Sequence, residues 1–190
     1  LILFFLFIDF FSKKIKIFTL IILILAPLFM VSINKNLNNR FNNQFINYIL
    51  VNGISSYYKI SQYGAHYNSA VQIIKDYRYF GIGLKNFSKV CENEKYIDKR
   101  FTFYQMRCST HPHQTHLDII LSIGIVGYVF LILIFMYLIK INIRSYKKNK
   151  NPFTLAGICF ILATFLTPLP AGSFFTSYGA TIFWFNIGIL

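Results

Sequence analysis

Acidic side chains are scarce in this chain. Six Asp and Glu stand against nineteen Lys and Arg in 190 residues, a formal net charge of +13. In a soluble domain that imbalance raises nucleic acid as a partner. A second absence redirects the reading. The apolar stretches 17–33, 117–139 and 153–169 have no ionisable residue at their centres. Transporters place charges within their spans near the bilayer midplane, so this absence counts against passage of a charged substrate through the bundle. The three cysteines show no recognised zinc spacing. There is no internal repeat. No secretory leader is visible, which excludes nothing in a chain that opens at Leu1 rather than Met.

What is present is hydrophobicity: 55% of residues, with a mean hydropathy of +0.51. A membrane-spanning helix takes roughly 20 mostly apolar residues. The three stretches fit that length, and 1–11 and 178–190 read as halves of two more. The chain ends inside an apolar run at Leu190 and reads as an internal or C-terminal piece of a longer protein. The expected fold is all-α, a polytopic transmembrane helix bundle. Lys13, Lys14 and Lys16 make one short basic connection, and Lys140, Arg144, Lys147, Lys148 and Lys150 make another. Short basic loops stay in the cytoplasm, whereas long loops cross largely regardless of charge. The expected organisation is therefore transmembrane helices over 1–33, a long outer loop over 34–116, and transmembrane helices over 117–190. In a Gram-negative cell this is an inner-membrane protein with the loop in the periplasm. Topology and contact with anionic membrane lipids account for the cytoplasmic basic residues, leaving no need for nucleic acid.

The outer loop carries eleven Lys and Arg against four acids. Next to a membrane this suits an anionic lipid-linked ligand such as a lipid-linked pyrophosphate; on charge alone a solvated, lipid-facing basic surface is the favoured reading. Phe41, Phe45, Tyr48 and Ile49 recur at helical spacing, as do Tyr67, Ala70, Val71, Ile74 and Tyr77. Both stretches read as short amphipathic helices on the membrane or on the bundle. Gly81 and Gly83 suit a tight turn. An oxidising periplasm permits a disulfide between Cys91 and Cys108, and closing such a loop is worth roughly 3 kcal/mol in the chain-entropy model. Two free thiols are the alternative. Zinc held by these cysteines with His111 and His113 is a weaker reading, and no metal is expected. Cys159, inside an apolar stretch, suits plain packing.

The densest chemistry lies in STHPHQTHLDIILSIGIVG at 109–127. Pro112 makes His111 extended and suits the first turn of a helix, with Thr110 or His111 as N-cap. His113 would then sit in the first turn, at the boundary between water and lipid. A helix N-terminus disfavours imidazolium, which keeps such a histidine neutral and able to accept a proton. The same terminus attracts phosphate. His116, three residues on, would share that face. Capping and lipid contact are the plain alternatives for these histidines. Gly124 and Gly127 read as helix-packing positions.

Taken in order, SQYGAH at 61–66, an amphipathic helix, GIGLKNF at 81–87, HPHQ at 111–114 and GIVG at 124–127 resemble the O-antigen ligase family. That family includes lipopolysaccharide O-antigen ligases and Wzy-type polymerases. The resemblance covers about residues 61–135. It implies a GT-C-like, metal-independent membrane glycosyltransferase that needs no cofactor. The implied donor is a glycan on undecaprenyl pyrophosphate, taken at the periplasmic face. The implied acceptor is a sugar hydroxyl on the lipid A core (ligase) or on a second lipid-linked glycan (polymerase). The family's essential histidine falls on His113, as general base or as the group that orients the acceptor hydroxyl; such help is worth roughly a hundred- to ten-thousandfold. His66 is the second expected catalytic residue. Arg78, Arg107, His116 and Gln114 are the expected substrate contacts, with cationic side chains stabilising charge on the leaving pyrophosphate. The chain departs from the family pattern at His66, where many ligases carry Arg, and at Gln114, where Asn is usual. It departs again at Ser122, which replaces a frequent Glu, with Asp118 keeping a carboxylate nearby. Two other classes stay open: a flippase or transporter of lipid-linked glycans, and a non-catalytic membrane assembly subunit. The latter explains the spans but not HPHQ.

Overall fold

A computed structural model describes residues 12–51, 53–166 and 170–189. The stretch 1–11, Pro168 and Leu169, and the side chains of Phe45, Tyr48 and Ile49 lie outside the described residues. Within them every regular element is helical and there is no strand. The chain forms two compact units, Leu1–Tyr58 and Lys59–Leu190.

In the first unit, α1 (Lys13–Ile33) opens on Ser12, whose hydroxyl accepts from the Ile15 amide at 3.4 Å. A serine in this position satisfies one of the amide donors left over at a helix start. No residue of α1 is buried, so its apolar surface is presented outward along its whole length. Asn34 ends α1 and caps the short α2 (Lys35–Arg40), its side-chain oxygen accepting from Asn36 and Leu37. A π-helical stretch, Phe41–Val51, follows and leads into α3 (Gly53–Ile60).

The second unit is organised by α4 (Gln62–Asp76), capped by the Ser61 hydroxyl on the Gly64 amide at 3.0 Å. Its buried stripe runs through Ala65, His66, Ser69, Ala70 and Ile73, the spacing of one helical face. A short α5 (Phe87–Cys91) and two 3₁₀ turns, Glu94–Tyr96 and Tyr104–Met106, cover that face. A disulfide joins Cys91 to Cys108, with a Cα–Cα distance of 5.7 Å. Cys91 packs in a core with Ala70, Ile73, Phe87, Tyr96 and Leu121. Beyond it, α6 (Thr115–Asn149), α7 (Pro152–Leu166) and α8 (Tyr178–Ile189) enclose a second, aromatic core of Ile119, Phe135, Ile161, Phe174 and Phe183. Helices α1 and α6 are long and apolar enough to cross a membrane. Helix α6 outlasts its apolar stretch by nearly three turns, the last of which carries Lys147 and Lys148, cations favoured at a helix C-terminus by the macrodipole.

Helix α6 is interrupted. Gly124 stands at φ 70°, ψ 178°, a region open essentially to glycine alone. The break frees backbone groups that would otherwise bond within the helix. The connection after α4 satisfies them: Ile82 and Gly83 amides donate to Leu121 and Ser122 carbonyls at 2.7 and 3.1 Å. The Ile125 and Val126 amides donate to Arg78 and Tyr79 carbonyls at 2.8 and 3.3 Å. The approach is so close that a Cβ built on Gly81 would lie 2.5 Å from the Leu121 carbonyl oxygen. One built on Gly124 would collide with the Tyr79 carbonyl. Gly81, at φ 72°, is a turn glycine. Gly124 is not the helix-packing position its setting in GIVG suggests; it is the hinge of a broken helix into which a loop is docked.

Candidate functional site

Helix α6 begins at Thr115, three residues later than Pro112 implies. Gln114 is the N-cap, its side-chain oxygen accepting from the Leu117 amide at 2.7 Å. Neither Thr110 nor His111 plays that part. His113 lies outside the helix, with a left-handed backbone at φ 58°. A non-glycine residue held there costs of order 1–3 kcal/mol and persists only where its surroundings enforce it. The surroundings do so here. The His113 carbonyl accepts from the Ala171 amide at 2.9 Å and from the Tyr67 hydroxyl at 3.4 Å. One contact comes from the connection between α7 and α8, the other from α4.

Three imidazoles meet at this point. The His113 ring lies 4.2 Å from His111 and 5.3 Å from His66 between centroids, with Tyr63 edge-on at 5.8 Å. His66, on the buried face of α4, has 1% of its surface exposed. Its Nδ1 donates to the Arg107 carbonyl at 2.8 Å; a carbonyl only accepts, so the proton sits on Nδ1 and Nε2 keeps its lone pair. His111 has the other tautomer. Its Nε2 donates to the Ala171 carbonyl at 3.3 Å, and its Nδ1 accepts from the Thr110 hydroxyl at 2.9 Å. The Ser109 hydroxyl donates to the His111 carbonyl and tightens the turn. Neither ring nitrogen of His113 is hydrogen-bonded among the described residues.

The electrostatics favour neutral rings. Burial pushes His66 below the ordinary histidine range, and His111 adds to that, against the opposing pull of the Arg107 carbonyl. Burial, then His111 and His66, push His113 down as well. The expectation of a neutral His113 rested on the helix dipole. The structure supplies a different cause, desolvation and neighbouring imidazoles, because the residue is not in the helix. A neutral imidazole with a free ring nitrogen can accept a proton near neutral pH.

The remaining expected residues are spread out. His116 does not share a face with His113. Its Nε2 donates to the Phe165 carbonyl at 2.7 Å and its Nδ1 accepts from the Tyr128 hydroxyl at 2.9 Å, so both nitrogens are engaged inside the bundle. Gln114 commits its side-chain oxygen to the cap. Arg107 is 9% exposed. Its guanidinium donates to the Tyr104 and Glu92 carbonyls, leaving Nε without a partner; through its backbone carbonyl it fixes His66. Arg78 is exposed on the docked loop, its guanidinium 5.9 Å from the Tyr79 ring. Cys91 and Cys108 are joined to each other, and no cluster of ligands suited to a metal occurs among the described residues. The sequence reading missed Tyr63 and the strap around Ala171. The strap follows Pro170 at the far end of the chain, and no local pattern ties it to HPHQ.

These features define a helical membrane protein with a histidine cluster held between α4, the start of α6 and the α7–α8 connection. The sequence model of the O-antigen ligase family (Wzy_C) matches residues 1–132, more than half of the chain, and the chain belongs to that family. No curated protein and no solved structure matches it. Membership makes it a glycosyltransferase-like, glycan-processing membrane protein whose substrates are, in general terms, lipid-linked glycans and lipid A core.

Proposed function

We propose that the chain is the catalytic, C-terminal part of a metal-independent glycan transferase in the bacterial inner membrane. It belongs to a polytopic GT-C-like bundle, with residues 34–116 as a periplasmic cap. The donor is an undecaprenyl-pyrophosphate glycan. The acceptor is a sugar hydroxyl on lipid A core or on a second lipid-linked glycan. The observation that carries this reading is the His66–His111–His113 cluster, in which His113 alone has both ring nitrogens free of hydrogen bonds among the described residues and burial lowers its affinity for a proton.

The proposed step is a single displacement. The acceptor oxygen forms a bond to the anomeric carbon, its proton passes to a ring nitrogen of His113, and the bond from the anomeric carbon to the pyrophosphate oxygen breaks. The pyrophosphate leaves with the bonding pair. His66, with Nε2 unprotonated, keeps that side of the site neutral when His113 is neutral. Arg78 is exposed and in no ion pair among the described residues, which fits it for the departing charge. Arg107 acts through its carbonyl, as a positioning residue for His66.

The test is turnover by the purified full-length protein. It is given native undecaprenyl-pyrophosphate glycan alone, then with lipid A core, and products are read by gel and mass spectrometry. A lengthened lipid-linked glycan identifies a polymerase and a glycan on lipid A core identifies a ligase. No product, with glycolipid moved between leaflets of vesicles, would replace this reading with a flippase.

A further inference from the structure

Asp118 is a buried carboxyl group that the transfer step leaves unused. It stands in the first turn of α6, 6% exposed, and a carboxyl group buried in a membrane helix is costly enough to be kept for a use. No cation pairs with it among the described residues. Instead, one of its carboxyl oxygens accepts from the Phe174 amide at 2.8 Å and from the Ser173 hydroxyl at 3.0 Å. Both donors belong to the strap between α7 and α8, and two residues before Ser173 the same strap holds the histidines. The Ala171 amide donates to the His113 carbonyl at 2.9 Å, and the Ala171 carbonyl accepts from His111 Nε2 at 3.3 Å. Asp118 is also tied to His113 through the start of α6, where the Asp118 amide donates to the Gln114 carbonyl at 2.9 Å. The contacts close a ring that runs from His113 through the first turn of α6 and Asp118 to the strap, and back to His113.

We propose that Asp118 is a positioning residue for the histidine cluster, setting the places of His113 and His111 through the strap; its bearing on transfer rests on the transferase reading above. Residues 170–173 lie outside any helix, so no local hydrogen-bond ladder fixes their register. The Phe174 ring is buried in the aromatic core, but apolar burial is non-directional and tolerates sliding. Two directed hydrogen bonds to one oxygen remove that freedom. Register matters because the left-handed backbone of His113 persists only where contacts enforce it. Of the two that do, the Ala171 amide is the shorter, 2.9 Å against 3.4 Å from the Tyr67 hydroxyl. Without Asp118 the strap slides, Ala171 leaves both histidines, and His113 relaxes to an ordinary backbone that turns its ring out of the cluster. Asp118 makes no hydrogen bond to any of the three imidazoles among the described residues, so its effect on them passes through the strap.

The experiment compares full-length wild type, Asp118→Ala, Asp118→Asn and Ser173→Ala in nanodiscs, with Asp118→Ala and Ser173→Ala also placed in His113→Ala. Hydrogen exchange over 171–174 reads the strap without turnover. Steady-state kinetics read kcat and KM with native undecaprenyl-pyrophosphate glycan as donor and lipid A core or the lipid-linked glycan as acceptor. Asp118→Ala should speed exchange by about tenfold to a hundredfold, the loss of two net hydrogen bonds. It should lower kcat by about tenfold to a hundredfold, the scale of a small misplacement of a catalytic group, with KM within about twofold of wild type. Asp118→Asn should restore most of both, because its amide oxygen can accept the same two bonds. Ser173→Ala, which removes one bond, should fall between. In His113→Ala neither substitution should cost anything further in kcat, the mark of a residue acting through His113. Should Asp118→Ala misfold, Ser173→Ala alone and in His113→Ala decides by the same readings. Unchanged exchange in the folded variants, an opened strap with wild-type kcat, or a further loss on top of His113→Ala would each overturn the proposal. Exchange accelerated in Asp118→Ala and restored in Asp118→Asn, with no transfer by wild type, would uphold the hold of Asp118 on the cluster and sink the transferase reading instead.

Discussion

Replacing Gly124 with Ala tests whether the docked loop and the broken helix are one device. The wild-type backbone there has φ 70° and ψ 178°, and forcing a side chain into that region costs about 1–3 kcal/mol. The new Cβ also collides with the Tyr79 carbonyl, so the hydrogen bonds from Ile125 and Val126 to the loop cannot both survive. Two lost bonds add about 0.5–1.5 kcal/mol each, for a combined cost of about 4 kcal/mol. Against the ~5–15 kcal/mol that holds a domain together, this releases the loop without unfolding the bundle. Hydrogen exchange at the Ile82 and Gly83 amides, which donate across the junction, should accelerate by about a thousandfold, since 1.4 kcal/mol is a factor of ten. Gly81→Ala should do the same from the other side. Gly188→Ala, where an added Cβ meets nothing within 4 Å, should leave both amides protected. Exchange in Gly124→Ala within threefold of wild type would refute the docking as described.

Other consequences follow from the cluster and its supports. Because burial and neighbouring rings lower His113, the acid limb of kcat/KM should fall below the ordinary histidine value of about 6.5, with a flat profile through neutrality; a limb at or above that value would contradict the assignment. His66 is also lowered, so the unfolded chain takes up its proton first as pH falls. Stability should therefore decline as pH drops below the ordinary histidine range, and His66→Gln should flatten that slope in thermal unfolding scans. Reducing the Cys91–Cys108 bridge, or replacing both residues with Ser, should destabilise the second unit by about 3 kcal/mol, measured by denaturant unfolding. It should also slow transfer, because Arg107, next to Cys108, loses the register that holds His66.

Much of the fold was legible because apolar length and helical spacing are local properties. The spans at 17–33 and 117–139 emerge within α1 and α6, and the stripe through Ala70 and Ile74 emerges within α4. The break in α6 was not legible. GIVG reads equally as a packing motif, and what distinguishes Gly124 is a loop that arrives from more than forty residues earlier in the chain. The candidate site divides in the same way. HPHQ marked His111 and His113 from the sequence, and SQYGAH marked His66. Their roles depend on contacts at long range. His116 looks equivalent to His113 in sequence, yet Phe165 and Tyr128 hold it inside the bundle. Arg107 looks like an exposed phosphate ligand and is a buried support. The N-cap was misplaced because the left-handed turn at His113 is enforced by Ala171 and Tyr67, which no pattern near Pro112 reveals.

The most direct test of the central claim is glycan transfer by full-length His113→Ala beside wild type, with thermal unfolding as the check on folding. The account predicts an unfolding midpoint close to wild type and a fall in kcat of about a hundredfold or more, in keeping with the loss of a general base. A folded His113→Ala enzyme that transfers glycan at the wild-type rate would contradict it and remove His113 from the chemistry.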